Sequence, residues 1–291
     1  MSTTDFSEKI SQQDQNSVQL SPASIRLKRL HRRQVLFFTG GRILLLVIVI
    51  GIWQFISGRY VNPLFISSPL AVWNQFVEWM ADGSLWFHTE ITLEETLLGL
   101  VFGIASGVLV GFFFGIEQTL AKLFDPFITS IYSIPKIALA PLFILWFGID
   151  IQMKVIFTTL TVFFLVFFNT LAGVRNVDQN LIDAVHLMGG KRRDILLKVV
   201  VPSATGYMLT GVHIAIPYAL IGAVVAELIA SNRGLGYLID SSATSFNTAG
   251  VFTAILVLTV IAGILNAVVD FIDRKTSRWK TGVSVGRKII P

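Results

Sequence analysis

The feature that most constrains this chain is a series of apolar stretches long enough to cross a bilayer. The hydrocarbon core of a membrane is about 30 Å thick, and a helix needs roughly 20 apolar residues to span it. Six stretches of about this length follow one another, at 41–57, 97–116, 127–147, 155–174, 207–229 and 251–271. Because backbone polar groups cannot stay unpaired in lipid, each stretch predicts a helix. The sequence therefore predicts an all-α membrane protein with six transmembrane helices.

Composition supports a membrane protein and excludes several kinds of active site. Of the 291 residues, 53% are hydrophobic and 14% charged, whereas soluble domains are about 25% charged. The chain has no cysteine, which excludes disulfides, thiolate metal sites and cysteine nucleophiles. It also has no phosphate-binding loop of the Walker A pattern, no histidine cluster and no nucleophile elbow. We therefore expect no catalytic residue, no cofactor and no metal site, and we expect that the chain is not an enzyme.

Basic residues predict the topology. They are concentrated in the segments 1–40, 175–206 and 274–291, whereas the intervening loops hold few of them. This asymmetry follows the positive-inside rule and places both termini in the cytoplasm. We predict a disordered basic N-terminal tail (1–40), a transmembrane domain (41–273) with a cytoplasmic loop at 175–206, and a basic C-terminal tail (274–291). A juxtamembrane basic run already has this explanation, so we expect no nucleic-acid partner.

Five glycines in the second stretch repeat at intervals of four residues. They are Gly99, Gly103, Gly107, Gly111 and Gly115. On a helix this spacing makes a row without side chains that lets another helix approach closely. Two interpretations remain open: a tight packing surface, and a sliding surface between two conformations.

The third stretch contains two prolines and a lysine. Pro135 and Pro141 each remove a backbone hydrogen bond and predict kinks, and Lys136 follows the first of them. A charge at membrane depth is a functional candidate, although a lysine near a helix end can also extend to the interface. The segment therefore predicts either part of a translocation path or a helix packed on the glycine row.

The segment after the fourth stretch predicts a short amphipathic helix. Asn176 can cap its start with Gln179 three residues on, and Gly189-Gly190 can end it in the left-handed conformation. A second helix follows and is expected to stop at Pro202. The residues on the apolar face of the first helix are Leu181, Ala184, Val185 and Met188. Such a face must be buried, either in a partner's groove or on the chain's own bundle.

The spacing in this segment resembles the EAA loop of ABC importer permeases. That loop has an acid, two small residues, a glycine four residues after the second of them, and an aliphatic-proline end. The matching residues are Asp183-Ala184-Val185, Gly189, Val199 and Val201-Pro202. Flanking stretches, among them the one from Ala226-Glu227 to Gly234-Leu235-Gly236, resemble the nitrate/taurine/aliphatic-sulfonate importer branch. The resemblance covers roughly residues 42–280.

The resemblance implies a type I ABC importer permease in the bacterial inner membrane. It implies that cytoplasmic ABC ATPase subunits dock on the coupling residues Asp183, Ala184, Val185, Met188, Gly189 and Pro202. It also implies an extracytoplasmic substrate-binding protein, a homodimer in the lipid bilayer, and a small anionic solute. The candidate path residues are Pro135, Lys136, Pro141, His213 and Glu227.

One departure and one alternative accompany this interpretation. Relatives usually carry a basic residue near Thr92-Leu93-Glu94-Glu95, where this chain is acidic. The alternative function is an ion-gradient-driven secondary transporter, which predicts paired acids at mid-membrane and an inverted repeat; neither is clear in the sequence.

Overall fold

The computed structural model describes residues 22–276. The regular secondary structure of this part is helical, apart from one isolated β-bridge. Its helices are α1 (Pro22–Ile56), α2 (Pro69–Ala81), α3 (Ser84–Ile116), α4 (Gln118–Ser133), α5 (Ala140–Phe147), α6 (Ile151–Arg175), α7 (Gln179–Leu187), α8 (Arg192–Ile195), α9 (Val201–Ile229), α10 (Leu235–Thr244) and α11 (Thr248–Thr276). A 3₁₀ turn (Lys136–Leu139) precedes α5, and a π turn (Leu196–Val200) joins α8 to α9. The chain forms two compact units: one that ends at residue 62 and holds α1, and one that begins at residue 63.

The prediction of an all-α membrane fold is confirmed. Five helical segments are long and apolar enough to span a membrane, and α4 with α5 makes a bent sixth. The helix α1 begins at Pro22, so the prediction of disorder over 1–40 is wrong from residue 22 onward. Residues 1–21 and 277–291, with most of the C-terminal tail, lie outside the described residues.

The glycine row packs α3 against α6. Each glycine faces the residue 59 positions later: Gly99 faces Thr158, Gly103 faces Val162, Gly107 faces Val166, Gly111 faces Thr170 and Gly115 faces Val174. A constant offset means that the two helices run in the same direction. Since α3 and α6 are parallel, residues 117–150 must return across the bundle, which makes the bent pair α4–α5 a crossing segment.

The helix α9 packs on another side of α6 and runs in the opposite direction. Gly173 lies against Tyr207, Gly211 against Asn169, and Gly222 against Thr158. Small residues again allow close approach. The helix α6 is therefore the central helix of this unit, and it buries Phe157, Val162, Val166 and Phe167.

The third predicted span is broken rather than doubly kinked. The bend between α4 and the segment that ends in α5 is 84°. Pro135 lies in the break, and Pro141 occupies the first turn of α5, where a missing N–H costs nothing because that group has no helical partner. The expectation of two kinks in one helix is wrong for this reason. The alternative that this span covers the glycine row is also wrong, because α6 occupies the row.

We expect Gly111→Ala to destabilise the protein. A methyl group at Gly111 would lie 2.8 Å from the carbonyl oxygen of Phe167 and 3.0 Å from Thr170 Cβ. Overpacking of this kind costs about 1–3 kcal/mol. Thermal unfolding of the purified chain should show a lower midpoint. Gly263→Ala is the control, since nothing lies within 4 Å of that position and alanine is the better helix former. Equal midpoints for the two variants would contradict the close contact.

Candidate functional site

The short helix α7 has well-defined ends. Asp178 caps its start, and its side chain accepts a hydrogen bond from Asn180 N at 2.9 Å; the predicted cap, Asn176, instead ends α6. At the other end Gly189 has φ +78°. Gly190 N donates to Val185 O and Gly189 N donates to His186 O, both at 2.9 Å. This is a Schellman motif, so the predicted left-handed end is confirmed.

The two faces of α7 have different surroundings. Ile182 and Val185 pack against buried residues at the end of the bundle, among them Val174 and Ala204. The predicted apolar face is therefore divided, because Val185 anchors the helix to its own chain. The outward apolar residues are Leu181, Ala184, Leu187 and Met188, of which the last two are 89% and 86% exposed. Asp183 is also exposed and accepts a hydrogen bond from Gln179.

The segment after α7 is held by an ion pair to the corner between α3 and α4 and continues directly into α9. Arg192 Nη2 lies 2.8 Å from Glu117 Oε1, at the corner between α3 and α4. Pro202 lies in the first turn of α9 and does not stop a helix. The π turn before it lets Val201 N bond to Leu196 O, and the wider turn makes room for the proline ring. The chain thus passes without interruption from Arg192 to Ile229.

Lys136 lies at the break in the third span. Its Nζ is 4.9 Å from the centre of the Tyr132 ring and 5.7 Å from that of Phe164. Phe164 lies near the middle of α6, so the ammonium group lies about halfway along that helix and not beside either of its ends. Ion pairs among the described residues do not include Lys136. Two aromatic faces stabilise this cation in part.

His213 lies within α9, and its Nε2 is buried without a hydrogen-bond partner in the described part of the chain. Pro135 and Pro141 are exposed. Of the candidate path residues, Pro135, Lys136 and Pro141 lie in or directly after the break in the third span, whereas His213 lies on another helix.

Glu227 belongs to a different site, at the end of the bundle opposite to α7. It is 1% exposed and accepts hydrogen bonds from Thr92 Oγ1 at 2.7 Å and from Gly236 N at 2.6 Å. Beside it, Lys154 Nζ lies 3.0 Å from Glu95 Oε1, with both side chains buried. Glu227 holds the loop after α9, so its prediction as a path residue is not supported by its contacts.

The registers of α3, α6 and α9 create this cluster. Glu95 and Lys154 are again 59 residues apart, one step before the first glycine pair. The antiparallel packing of α9 brings Glu227 to the same end. Lys154 was not singled out from the sequence, because a lysine near a helix start predicts an interfacial position. The acidic departure at Glu95 is the feature of the sequence that could have indicated this cluster.

The two ends of α6 separate the two sites. The helix has 25 residues and is about 37 Å long at 1.5 Å per residue. The buried cluster lies at its start and α7 at its end. Among the described residues no group of three histidine or acidic side chains could hold a metal ion.

The chain is similar to known membrane transport components. The family model of the binding-protein-dependent transport system inner membrane component matches residues 99–278. The chain is 31% identical to SsuC of Bacillus subtilis (strain 168), which is named as a proposed permease for aliphatic sulfonates, over 82% of this chain and 87% of that protein. It is also 31% identical to the taurine transport system permease TauC of Escherichia coli (strain K12), over 78% and 84%.

A solved structure shows the same fold. A chain of the MetNI methionine ABC transporter in an inward-facing conformation matches with a TM-score of 0.55 and 19% identity. The match covers 69% of this chain and 98% of that one.

We expect Lys154→Met to destabilise the protein strongly. The substitution leaves the Glu95 carboxylate buried without its cation, which costs about 3–5 kcal/mol. The double variant Lys154→Met/Glu95→Gln should recover much of this loss, because it removes both charges and leaves no unpaired charge buried. Thermal unfolding of the purified variants measures both effects.

The control is the exposed pair Arg192–Glu117, for which Arg192→Met should cost less than about 1 kcal/mol. If the Lys154 single variant and the double variant unfold at the same temperature, the two side chains do not act as a pair.

Proposed function

Because this chain belongs to the family of binding-protein-dependent transport system inner membrane components, we propose how it performs its part as a permease. It is the membrane-spanning subunit of an ATP-driven ABC importer. We infer that α7 couples a separate ATPase to the spans, that two copies form the path, and that the solute is a small anion.

The observation that carries the coupling proposal is the division of α7 into two faces. Ile182 and Val185 fix the helix to the end of the bundle, while Leu187 and Met188 project outward. An apolar side chain exposed on a cytoplasmic helix gains free energy when a partner's groove covers it. A push on the outer face is transmitted to α6 and α9, because the inner face packs on both.

The proposed partners follow from the family. ATPase subunits bind at the cytoplasmic end, which carries α7, and a substrate-binding protein delivers solute at the other end. The basic segment 175–206 supports this orientation by the positive-inside rule, with both termini cytoplasmic in a bacterial inner membrane. The sequence contains no Walker A pattern and the family is one of transport components, so we assign ATP hydrolysis to the partner.

The surface of α9 supports a second copy. An open groove on its first turns is lined by Pro202, Ser203, Gly206, Tyr207 and Thr210. Hydroxyl groups and small residues on a spanning helix favour contact with protein or water over lipid. A homodimer that meets along this face would line a path between the two copies.

Lys136 supports an anionic solute. Its ammonium group lies at mid-depth beside the break, where freed backbone groups must meet protein or water. Taurine and aliphatic sulfonates, which the names of two relatives specify, carry a sulfonate that would pair with such a cation. The secondary transporter, the alternative from the sequence, has no support: the paired acids lie at one end, and the α3–α6 pair is parallel and not inverted.

We expect Met188→Glu to weaken binding of the ATPase at least tenfold, about 1.4 kcal/mol, because a charge would be buried in an apolar groove. Co-purification of the ATPase subunit and its ATP hydrolysis in the assembled importer measure this loss. His186→Glu is the matched control, since it adds the same charge to an exposed position on the other side of α7. If both variants bind the ATPase as the parent does, α7 is not the coupling helix.

We expect Lys136→Met to reduce uptake of an anionic probe at least tenfold while Lys136→Arg keeps most of it, because only the cation is lost in the first. The complete importer with its binding protein in lipid vesicles and radiolabelled taurine or an alkanesulfonate would serve as the assay. Lys122→Met, an exposed lysine on α4, should transport normally. Uptake of neither probe by the parent would reject the sulfonate assignment, and normal uptake by Lys136→Met would reject the role of the cation.

A further inference from the structure

The helix α2 carries a stripe of exposed apolar side chains along one side. Its members are three or four residues apart, so they are neighbours on the helix surface. They are Leu70, Trp73, Val77 and Met80, with exposures of 61%, 61%, 48% and 51%. At about 100° per residue, the four positions fall within an arc of about 80°. A contiguous apolar surface of this kind indicates contact with lipid or with another protein.

A second side of α2 is fixed to the bundle. Val72 is buried, and Phe76 and Trp79 pack against the apolar cluster shared by α3, α9, α10 and α11. The hydroxyl of Thr253 on α11 donates to Val72 O at 3.1 Å. These contacts set the rotation of α2 about its own axis. The apolar stripe therefore faces away from the bundle by construction.

The third side of α2 is polar. It carries Asn74, Gln75 and Glu78, whose positions centre about 130° around the helix from the stripe. Gln75 Nε2 donates to Glu78 Oε2 at 3.1 Å, and Gln75 Oε1 accepts from Asn247 Nδ2 at 2.9 Å. One free edge of the helix is thus apolar and the other polar, which is the arrangement of a helix at a boundary between lipid and water.

The helix α2 lies beside the first turns of α3, where the hydrocarbon of a bilayer would end. The continuous apolar stretch of α3 begins at residue 97, and Glu90 and Glu94 before it are exposed. Ionised carboxylates avoid hydrocarbon, so these first turns lie outside it. Trp86 in the same turns is 72% exposed, and indole rings prefer the membrane–water interface. With 13 residues, α2 is about 20 Å long and too short to cross the bilayer.

We propose that α2 is an interfacial helix whose apolar stripe lies on the phospholipid leaflet at the end of the bundle opposite to α7. The ligand is a phospholipid surface: the stripe meets the boundary between acyl chains and headgroups, and the polar side of the helix faces water. In the proposed orientation of the chain this is the outer leaflet. Since α2 contains no basic residue, contact depends on apolar side chains and not on anionic lipid.

The surroundings of the stripe favour lipid over a protein partner. The stripe adjoins α11, whose exposed side chains Ile255, Leu256 and Val260 continue the apolar surface. Surfaces that dock a soluble protein mix hydrogen-bonding groups with apolar ones. In the stripe, the indole N–H of Trp73 is the single polar side-chain group, and this group suits the headgroup region.

Contact of α2 with the leaflet also places the loop between α10 and α11. Asn247 of this loop donates to Gln75 at 2.9 Å, and its Oδ1 accepts from Gly250 N at 3.1 Å. The loop is therefore held to the polar side of α2. A helix anchored in the leaflet keeps this loop at the membrane surface.

Nitroxide labels on single cysteines measure which side of α2 meets lipid, because the native chain has no cysteine. Val77→Cys lies on the stripe, and Glu78→Cys lies on the polar side. The labelled full-length chain, assembled with its ATPase in phosphatidylcholine vesicles, is exposed in turn to oxygen, which dissolves in lipid, and to a water-soluble nickel chelate. We expect the ratio of oxygen to nickel collisions to be about tenfold higher at Val77→Cys, or about 1.4 kcal/mol in partitioning.

Other results of this experiment would overturn the proposal. Equal ratios for the two labels, or a higher ratio for Glu78→Cys, would mean that the stripe does not face lipid. Protection of the Val77→Cys label from both reagents would mean that a second copy or another protein covers the stripe. Phosphatidylglycerol in the vesicles should leave the ratios unchanged, and lipid contact that appears only with this anionic lipid would contradict binding by apolar side chains.

Tryptophan fluorescence repeats the test without a label. Phosphatidylcholine with brominated acyl chains quenches indole rings that lie against lipid. Trp73→Phe should remove more of the quenchable fluorescence than Trp79→Phe, because Trp79 packs against the buried cluster whereas Trp73 is 61% exposed. Phenylalanine keeps both positions apolar and aromatic, so the packing of α2 is retained. Equal losses in the two variants, or a larger loss in Trp79→Phe, would also overturn the proposal.

Discussion

Two parallel helices, α3 and α6, touch along a row of five glycines, and the register of this contact determines the positions of many other groups. Lipid is as apolar as leucine, so helices associate in a membrane through close packing and not through apolar burial. The missing side chains bring the backbone of α3 against the carbonyl groups of Phe163 and Phe167. A slip by one residue would place a side chain where only a glycine fits. The register is therefore fixed along more than four turns.

Both candidate sites lie at the ends of this contact. One step before Gly99, the same register places Glu95 opposite Lys154. At the other end Val174, which faces Gly115, belongs to the apolar cluster against which Ile182 and Val185 of α7 pack. The helix α7 and the buried cluster of Glu95, Lys154 and Glu227 are thus attached to the same rigid pair of helices. A displacement of α7 has a direct mechanical route to the loop that Glu227 holds.

The third span supplies the contrasting element, because it does not take part in the glycine contact. Pro135 breaks it at mid-depth, and its first half buries only Ala121 among the described residues. A segment with so few contacts can change position at a lower free-energy cost than α3 or α6. The break also holds Lys136 between two aromatic rings. A rigid pair of helices that carries α7, beside a broken span that carries a cation, fits the roles proposed for them in a permease.

The sequence by itself determined the class of fold, since six long apolar stretches and the positive-inside asymmetry are local or additive properties. It also determined the glycine contact surface, the end of α7 at Gly189 and the EAA spacing, because each depends on residues within a few helical turns. It could not determine which helix covers the glycines, how Val185 and Met188 divide between two faces, or that Pro202 continues a helix through a π turn. Above all it could not pair Glu95 with Lys154 or place Glu227 beside them. Those contacts join residues that lie 59 or more positions apart, and only the packing of three helices in one register brings them together.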